Sequence, residues 1–160
     1  MRLTDSTDIQ VPRQEVFASL TDIDYFQRLG ARHGVTLRQV EGRTFQAGAE
    51  WLADFPFRGQ MRHLTCRIDA LDAPDDLILS GKSGGYEFGA ALSLTALSRT
   101  LTRLTVEVEV KPKTLAARIL LQTMKLARSR LRNRFALRLA ALGAAIEARQ
   151  AHGPGAHGRG

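Results

Sequence analysis

The amino-acid sequence predicts an α+β fold in which a curved antiparallel sheet of about six or seven strands wraps around one long C-terminal helix. Three observations lead to this prediction. The chain opens with a strand pattern and two short helical segments, continues with a long series of alternating segments, and closes with a long proline-free segment of helical spacing. Because an apolar sheet face must be covered and only the closing segment is long enough, the helix is predicted to lie on the sheet.

The opening segments predict one strand followed by two short helices. Residues 3–11 alternate between polar and apolar side chains, as expected of a strand. Pro12 then precedes RQEVFASL, and proline is favoured at the first position of a helix. Thr21 or Asp22 is suited to cap a second helix that begins directly afterwards. The two helices are therefore predicted to follow the first strand closely.

The middle of the chain, from about residue 35 to residue 110, predicts a series of hairpin-connected strands. Side chains that alternate share one face of a strand, so the apolar face is read from the parity of the positions. On this basis one face carries Trp51, Ala53, Phe55 and Phe57, and a later strand carries Tyr86, Phe88 and Ala90. The segment GKSGG lacks the glycine of a phosphate loop, and Gly84 and Gly85 are predicted to supply positive φ for a tight turn.

The segment from Thr114 to Arg149 predicts a single helix, which at about 1.5 Å per residue reaches roughly 50 Å and carries an apolar stripe about seven turns long. Its apolar residues recur at spacings of three or four and form one stripe: Leu120, Met124, Ala127, Leu131, Phe135, Leu139, Leu142 and Ile146. Residues 1–149 are thus predicted to form one domain. The Gly- and His-rich residues 150–160 are predicted to be a disordered tail.

Positive charge is concentrated on the C-terminal helix. The whole chain has a net charge of +7, yet residues 111–149 contain ten basic residues and one acidic residue. The basic side chains flank the apolar stripe, and a second apolar row faces away from the sheet: Leu115, Ile119, Leu126 and Leu137. A solvated face, an anionic membrane contact and self-association as a homodimer all fit this pattern. Nucleic acid is disfavoured because no known nucleic-acid-reading motif is present.

The remaining composition restricts the chemistry. No apolar run approaches the roughly 18–20 residues that span a bilayer, and residues 1–11 contain no apolar signal core, so a cytoplasmic location is expected. The single Cys66 excludes an internal disulfide and is predicted to be a small buried hydrophobe. The histidines are not at metal-ligand spacing, and no catalytic signature is present. Neither a metal nor a cofactor is therefore predicted.

The order of elements resembles the START/Bet v 1-like (SRPBCC) helix-grip superfamily, and within it the bacterial polyketide cyclase/dehydrase and lipid transport group. The stretches that carry the resemblance are DIQVPRQEVFASLTDIDYF, FRGQMRHLTCRI and TRLTVEVEVKPKTLAARILLQTMK. Together they indicate that the resemblance extends over residues 1–149. It implies a hydrophobic cavity between the sheet and the C-terminal helix, and a small hydrophobic or amphipathic ligand. It does not imply a reaction, because one fold hosts many functions.

Eight residues are predicted to line this cavity. A curved sheet around a helix leaves a gap near the ends of the helix, and the aromatic residues of the apolar strand faces point towards it. Arg62 shares a strand face with apolar neighbours and could hold a ligand carboxylate. The predicted lining is Trp51, Phe55, Phe57, Arg62, Tyr86, Phe88, Met124 and Leu131.

Three functions fit these features. The first is binding or transport of a small hydrophobic or amphipathic ligand without chemical change. The second is an enzyme of the polyketide cyclase or dehydratase kind, which requires an acid–base pair in the cavity. The third is a peripheral membrane or self-association module that uses the basic C-terminal helix.

Overall fold

The computed structural model describes residues 1–41 and 45–152. The chain forms seven strands and four helices within these ranges. In chain order they are β1 (Arg2–Ile9), α1 (Arg13–Leu20), α2 (Ile23–Ala31), β2 (Thr36–Glu41), β3 (Glu50–Phe57), β4 (Gln60–Asp72), β5 (Asp76–Ser83), β6 (Tyr86–Ala96), β7 (Thr102–Pro112), α3 (Leu115–Lys125) and α4 (Arg128–His152). Residues 150–152 of the predicted disordered tail belong to α4. Residues 153–160, the rest of that tail, lie outside the described residues.

The sheet confirms the predicted α+β class. Seven antiparallel strands follow the order β1-β7-β6-β5-β4-β3-β2, so that every consecutive pair from β2 to β7 is adjacent. The first strand joins the sheet beside the last one, with Arg2 opposite Glu109 and Ile9 opposite Thr102. The two short helices between β1 and β2 are also confirmed, and Asp22 caps the second by accepting a hydrogen bond from the Tyr25 amide at 3.2 Å.

The long C-terminal helix is confirmed, but it is interrupted near its start. The amide groups of Leu126 and Ala127 donate to carbonyls only three residues back, on Thr123 and Met124. This short turn separates α3 from α4. The hydroxyl of Thr123 also donates to the Ile119 carbonyl at 3.2 Å, a local bond of the kind that bends helices. The expectation of one uninterrupted helix from Thr114 to Arg149 is therefore wrong at this point.

The main core lies at the end of the sheet where β1, α1, β7 and the C-terminal half of α4 meet. Ile9, Val16, Leu104 and Ile146 are completely buried there. The buried hydroxyl of Thr102 donates to the Val11 carbonyl at 2.7 Å, so that its burial leaves no unpaired polar group. At the opposite end α3 buries much less, because its only buried residues are Ala117 and Leu121.

Helix α4 approaches β1 closely at Gly143. A Cβ atom placed on this residue would lie 3.2 Å from Cγ2 of Thr7 and 3.3 Å from Cγ1 of Ile9. These distances are shorter than ordinary van der Waals contact, so the glycine allows the helix to lie directly on the strand.

The end of α4 is attached to α2 by an ion pair. The guanidinium of Arg149 bonds to the carboxylate of Asp22 and lies over the ring of Tyr25, 4.4 Å from its centroid. Burial raises the pKa of Asp22, but the hydrogen bonds from the Tyr25 amide and the Arg149 guanidinium outweigh it and hold the pKa below its ordinary value.

We expect Gly143→Leu to lower the free energy of unfolding by about 1–3 kcal/mol, because the added side chain separates α4 from β1. Ala144→Leu is the matched control, since Ala144 is the next residue of the same helix and is exposed. Urea denaturation of both variants measures the difference. An equal effect at the two positions would show that the close approach at Gly143 does not constrain the fold.

The lowered pKa of Asp22 predicts a pH-dependent contribution to stability. A depressed carboxyl pKa stabilises the fold above the pKa of the unfolded chain, about 4, and this contribution disappears as the pH falls through the folded-state pKa. Asp22→Asn keeps a capping side chain but removes the charge, so we expect a loss of about 1 kcal/mol at pH 7 that vanishes near pH 2. Thermal denaturation across this range is the measurement, and a loss independent of pH would contradict the assignment.

Candidate functional site

A cavity of about 550 Å³ lies under α3, at the end of the sheet away from the main core. Its walls come from the β3–β4 hairpin, the β5–β6 hairpin, the end of β7 and the inner face of α3. The helix contributes Leu120, Leu121 and Met124, and β7 contributes Val110. This volume falls within the range of small-molecule sites, about 300–1,000 Å³.

Six of the eight predicted lining residues lie in these walls: Phe55, Phe57, Arg62, Tyr86, Phe88 and Met124. Trp51 and Leu131 are not among the lining residues. Trp51 is buried four residues before Phe55, about 13 Å further along β3. Leu131 belongs to α4, beyond the turn that ends α3, and is half-buried there. The prediction placed both residues too far from the end of the sheet where the gap opens.

Two hairpins with two-residue turns bring the aromatic walls together. Arg58 and Gly59 connect β3 to β4 with φ of +52° and +74°, the backbone that closes a tight hairpin. The resulting register places Phe55 opposite Arg62. On β6 the rings of Tyr86 and Phe88 lie with centroids 6.2 Å apart, within the range of favourable aromatic contacts.

The turn of the β5–β6 hairpin also fixes the start of α3. Gly84 has a positive φ of +55°, as predicted, but Gly85 does not. Gly85 is required for a different reason, because a Cβ there would lie 2.6 Å from Oγ1 of Thr114. The hydroxyl oxygen of Thr114 caps α3 by accepting a hydrogen bond from the Ala117 amide at 3.1 Å. The main-chain amide of Lys113 donates to the Gly85 carbonyl at 2.7 Å.

The hydroxyl of Tyr86 is used to hold α3 on the sheet. It donates to the main-chain carbonyl of Ala117 at 3.3 Å. This bond connects β6 to the first turn of the helix that covers the cavity. The cavity wall therefore gains an aromatic ring from Tyr86, while the donor capacity of its hydroxyl is already used.

Arg62 is the cavity-lining side chain that remains available for an anion. It is exposed, and no residue in the described part of the chain forms an ion pair or hydrogen bond with it. The nearby carboxylate of Asp54 is engaged by Arg38 at 3.1 Å and by His63 at 2.6 Å. A free guanidinium at the rim of an apolar cavity is suited to a carboxylate or phosphate group.

The contact between Asp54 and His63 was not predicted from the sequence. The two residues are directly opposite in the β3–β4 register, and Nδ1 of His63 lies 2.6 Å from Oδ1 of Asp54. The hydrogen bond with His63 is the largest of the causes that hold the pKa of Asp54 below its ordinary value. The sequence signal that could have revealed this contact was Gly59, the glycine of the two-residue turn. This turn fixes the register of the hairpin and therefore pairs position 54 with position 63.

Other reactive groups are sparse. Burial raises the pKa of the Cys66 thiol, which disfavours the nucleophilic thiolate. Within residues 1–41 and 45–152, no cluster of three or more histidine, cysteine or acidic side chains is placed to hold a metal ion. No helix in the same ranges combines the length and apolar character needed to cross a membrane.

Comparison with known proteins identifies relatives by structure but not by sequence. No protein-family model matches the chain, and no curated protein matches it. Among solved structures, the ZhuI aromatase/cyclase from Streptomyces sp. R1128 is similar with a TM-score of 0.71, at 14% identity over 93% of this chain and 94% of that one. Ara h 8.0201 is similar with a TM-score of 0.61, at 16% identity over 92% and 95% of the two chains.

A START superfamily protein from Mycobacterium smegmatis is also similar, with a TM-score of 0.58 and 12% identity over 83% of this chain and 95% of that one. These three structures comprise a cyclase, a Bet v 1-type allergen and a START protein, which span the groups that the sequence resembled. At such low identity the likeness concerns the fold. The chain has the helix-grip fold of the START/Bet v 1-like superfamily, as the sequence resemblance predicted.

Proposed function

We propose that this protein binds a small hydrophobic or amphipathic ligand in the cavity under α3. The observation that carries the proposal is a cavity of about 550 Å³ with aromatic and aliphatic walls and one unpaired guanidinium at its rim. Burial of apolar ligand surface contributes about 25 cal/mol per Å², so such walls supply affinity. Transport follows if the ligand is released to a second site.

The arrangement of polar groups favours a ligand with an apolar body and one anionic end. The wall includes Phe55, Phe88, Leu121 and Met124, which offer no charge to a ligand. Arg62 lies at the exposed side, where a carboxylate or phosphate would keep part of its hydration. Because an exposed ion pair contributes little, typically below about 1 kcal/mol, Arg62 would orient the ligand more than it would strengthen binding.

A second candidate function is catalysis of the cyclase or dehydratase kind, and the contact between His63 and Asp54 favours it. His63 belongs to the cavity wall, and Asp54 orients its imidazole as in many acid–base sites. No aspartate or glutamate is found among the lining residues in the described part of the chain, so His63 would have to act as the base. Its side chain is largely exposed, which suits a surface contact better than a catalytic base.

The binding proposal predicts that filling the cavity weakens binding. We expect Leu120→Trp to raise the dissociation constant of a fluorescent long-chain fatty acid at least tenfold, because the indole occupies the apolar volume. Ala116→Trp is the matched control, since it adds the same chromophore to an exposed position of the same helix outside the cavity wall. Absence of binding by the unmodified protein, or equal weakening in both variants, would contradict the proposal.

The role of Arg62 predicts a change in selectivity. We expect Arg62→Met to reduce the preference for a fatty acid over its methyl ester by about threefold to fivefold, with little change in ester binding. Arg67→Met is the control, because Arg67 is exposed on the same strand but is not part of the cavity wall. Competition against the same fluorescent probe measures both ratios, and an unchanged preference in Arg62→Met would exclude the orienting role.

The two candidate functions are distinguished by the fate of the ligand. Native mass spectrometry of the purified protein identifies any bound small molecule by its mass. Recovery of a molecule with the same mass and the same chromatographic retention after prolonged incubation supports binding alone, because cyclisation without loss of water would change the retention but not the mass. Loss of water from the molecule, prevented in His63→Gln, would instead establish the enzyme.

A further inference from the structure

The outer side of α3 and the adjoining part of α4 expose four large apolar side chains. We call this set the outer leucine row: Leu115, Ile119, Leu126 and Leu137, with exposed fractions of 74%, 61%, 90% and 71%. The sequence predicted that this row faces away from the sheet, and the structure places it there. Since the cavity side of α3 is also apolar, the helix is apolar on two opposite sides, which covering the sheet does not require.

The same segment is strongly and uniformly basic. Between Thr114 and Ile146 the chain has seven arginine and lysine residues and no carboxylate. All seven are exposed, and none forms an ion pair with any residue that the structure describes. Elsewhere in the described chain some exposed arginines are paired, as Arg2 is with Glu109 and Arg103 is with Asp8, and others are not. Exposed leucines among unpaired cations match the surface that anionic lipid bilayers bind.

A basic groove adjoins the ligand cavity on this side. It has a volume of about 490 Å³ and shares Val110 and Leu121 with the cavity wall. Its wall contains Arg118 and Lys125, both unpaired among the described residues, and also Glu109, whose carboxylate is paired with Arg2 and Lys111. An anionic headgroup in the groove would therefore lie directly beside the apolar space under α3.

The other lip of the cavity, at the β3–β4 hairpin, also combines exposed apolar side chains with an arginine. Phe57 and Met61 are exposed at the β3–β4 hairpin, and Arg58 lies over the ring of Phe57 at 5.6 Å from its centroid. Thus six of the nine large apolar side chains that are exposed in the described part of the chain belong to the cavity lips or to the outer leucine row. Their concentration at this end distinguishes it from the rest of the described surface.

We propose that α3 and the first half of α4 dock on an anionic lipid bilayer, with the outer leucine row in the headgroup region and the cations against the lipid phosphates. A second copy of the chain is a poorer occupant, because two faces with seven unpaired cations each would repel one another. The docking proposal rests only on the exposed side chains of α3 and α4. The exchange of an apolar ligand between bilayer and cavity rests, in addition, on the proposed function.

Vesicle co-sedimentation of the ligand-free protein tests the docking. We expect binding to vesicles of phosphatidylcholine mixed with phosphatidylglycerol, weak binding to phosphatidylcholine alone, and weaker binding at high salt. Removing two cations with Arg130→Gln and Arg134→Gln should weaken binding about fivefold for each charge. The control for charge is Arg67→Gln with Arg99→Gln, which makes the same change in net charge outside the α3–α4 surface.

The apolar contribution is tested in the same assay. We expect Ile119→Ser with Leu126→Ser to weaken vesicle binding at least tenfold, whereas Ile78→Ser with Leu97→Ser, at exposed positions elsewhere, should leave it unchanged. Circular dichroism verifies that each variant is folded. Absence of binding to the anionic vesicles, or equal binding to both vesicle types, would overturn the proposal. So would a dimer in sedimentation velocity that only Ile119→Ser with Leu126→Ser dissociates, because a second copy would then cover the row.

The cavity-filled variant separates this proposal from ligand binding. Leu120→Trp retains the outer surface and should bind anionic vesicles like the unmodified protein, while losing transfer of a fluorescent fatty acid between vesicles. Loss of vesicle binding in this variant would overturn docking as a separate property of the outer surface. Vesicle binding without fatty-acid binding in the unmodified protein would refute the proposed function and leave docking established.

Discussion

The close packing of α4 on β1 is the constraint on which the rest of the structure depends. Gly143 allows the helix to lie directly against Thr7 and Ile9, and the larger of the two clusters of buried apolar residues includes Ile9 and Ile146 from the two sides of this contact. At the other end of the sheet the helical layer packs much less closely, because α3 buries only Ala117 and Leu121. The space that remains there is covered only by α3, which buries two residues, and it becomes the cavity.

Helix α3 consequently contributes to both of the proposed sites. Its start is fixed by Thr114, Gly85 and the hydroxyl of Tyr86, while its inner side completes an apolar wall. Its outer side carries exposed apolar residues and cations that no described partner neutralises. One short helix thus separates a ligand-sized space from a surface suited to lipid, which relates the two proposals physically: a ligand that prefers membranes would have a short path into the cavity.

Much of this could be read from the sequence, because alternation and helical spacing report directly on buried faces. The strand faces that carry Phe55, Phe57, Tyr86 and Phe88 came from parity alone, and so did the strand face of Arg62, whose side chain is exposed at the cavity rim. The turn at Leu126 and Ala127 was not predictable. Leucine and alanine both favour helices, and the apolar spacing continues through these two positions. The Asp54–His63 contact depends on cross-strand register, which requires the exact hairpin turn before any pairing can be assigned.

We propose that the space under α3 is a binding site and not a packing defect. Backbone amide chemical shifts during titration with a long-chain fatty acid test it most directly, since they report where the ligand lies. We expect saturable shifts at Gly85, Phe88, Leu121 and Met124, with little change at Ile9, Thr102 and Gly143 in the main core. Saturable shifts confined to α2 and the end of α4, or no shifts at any concentration, would contradict it.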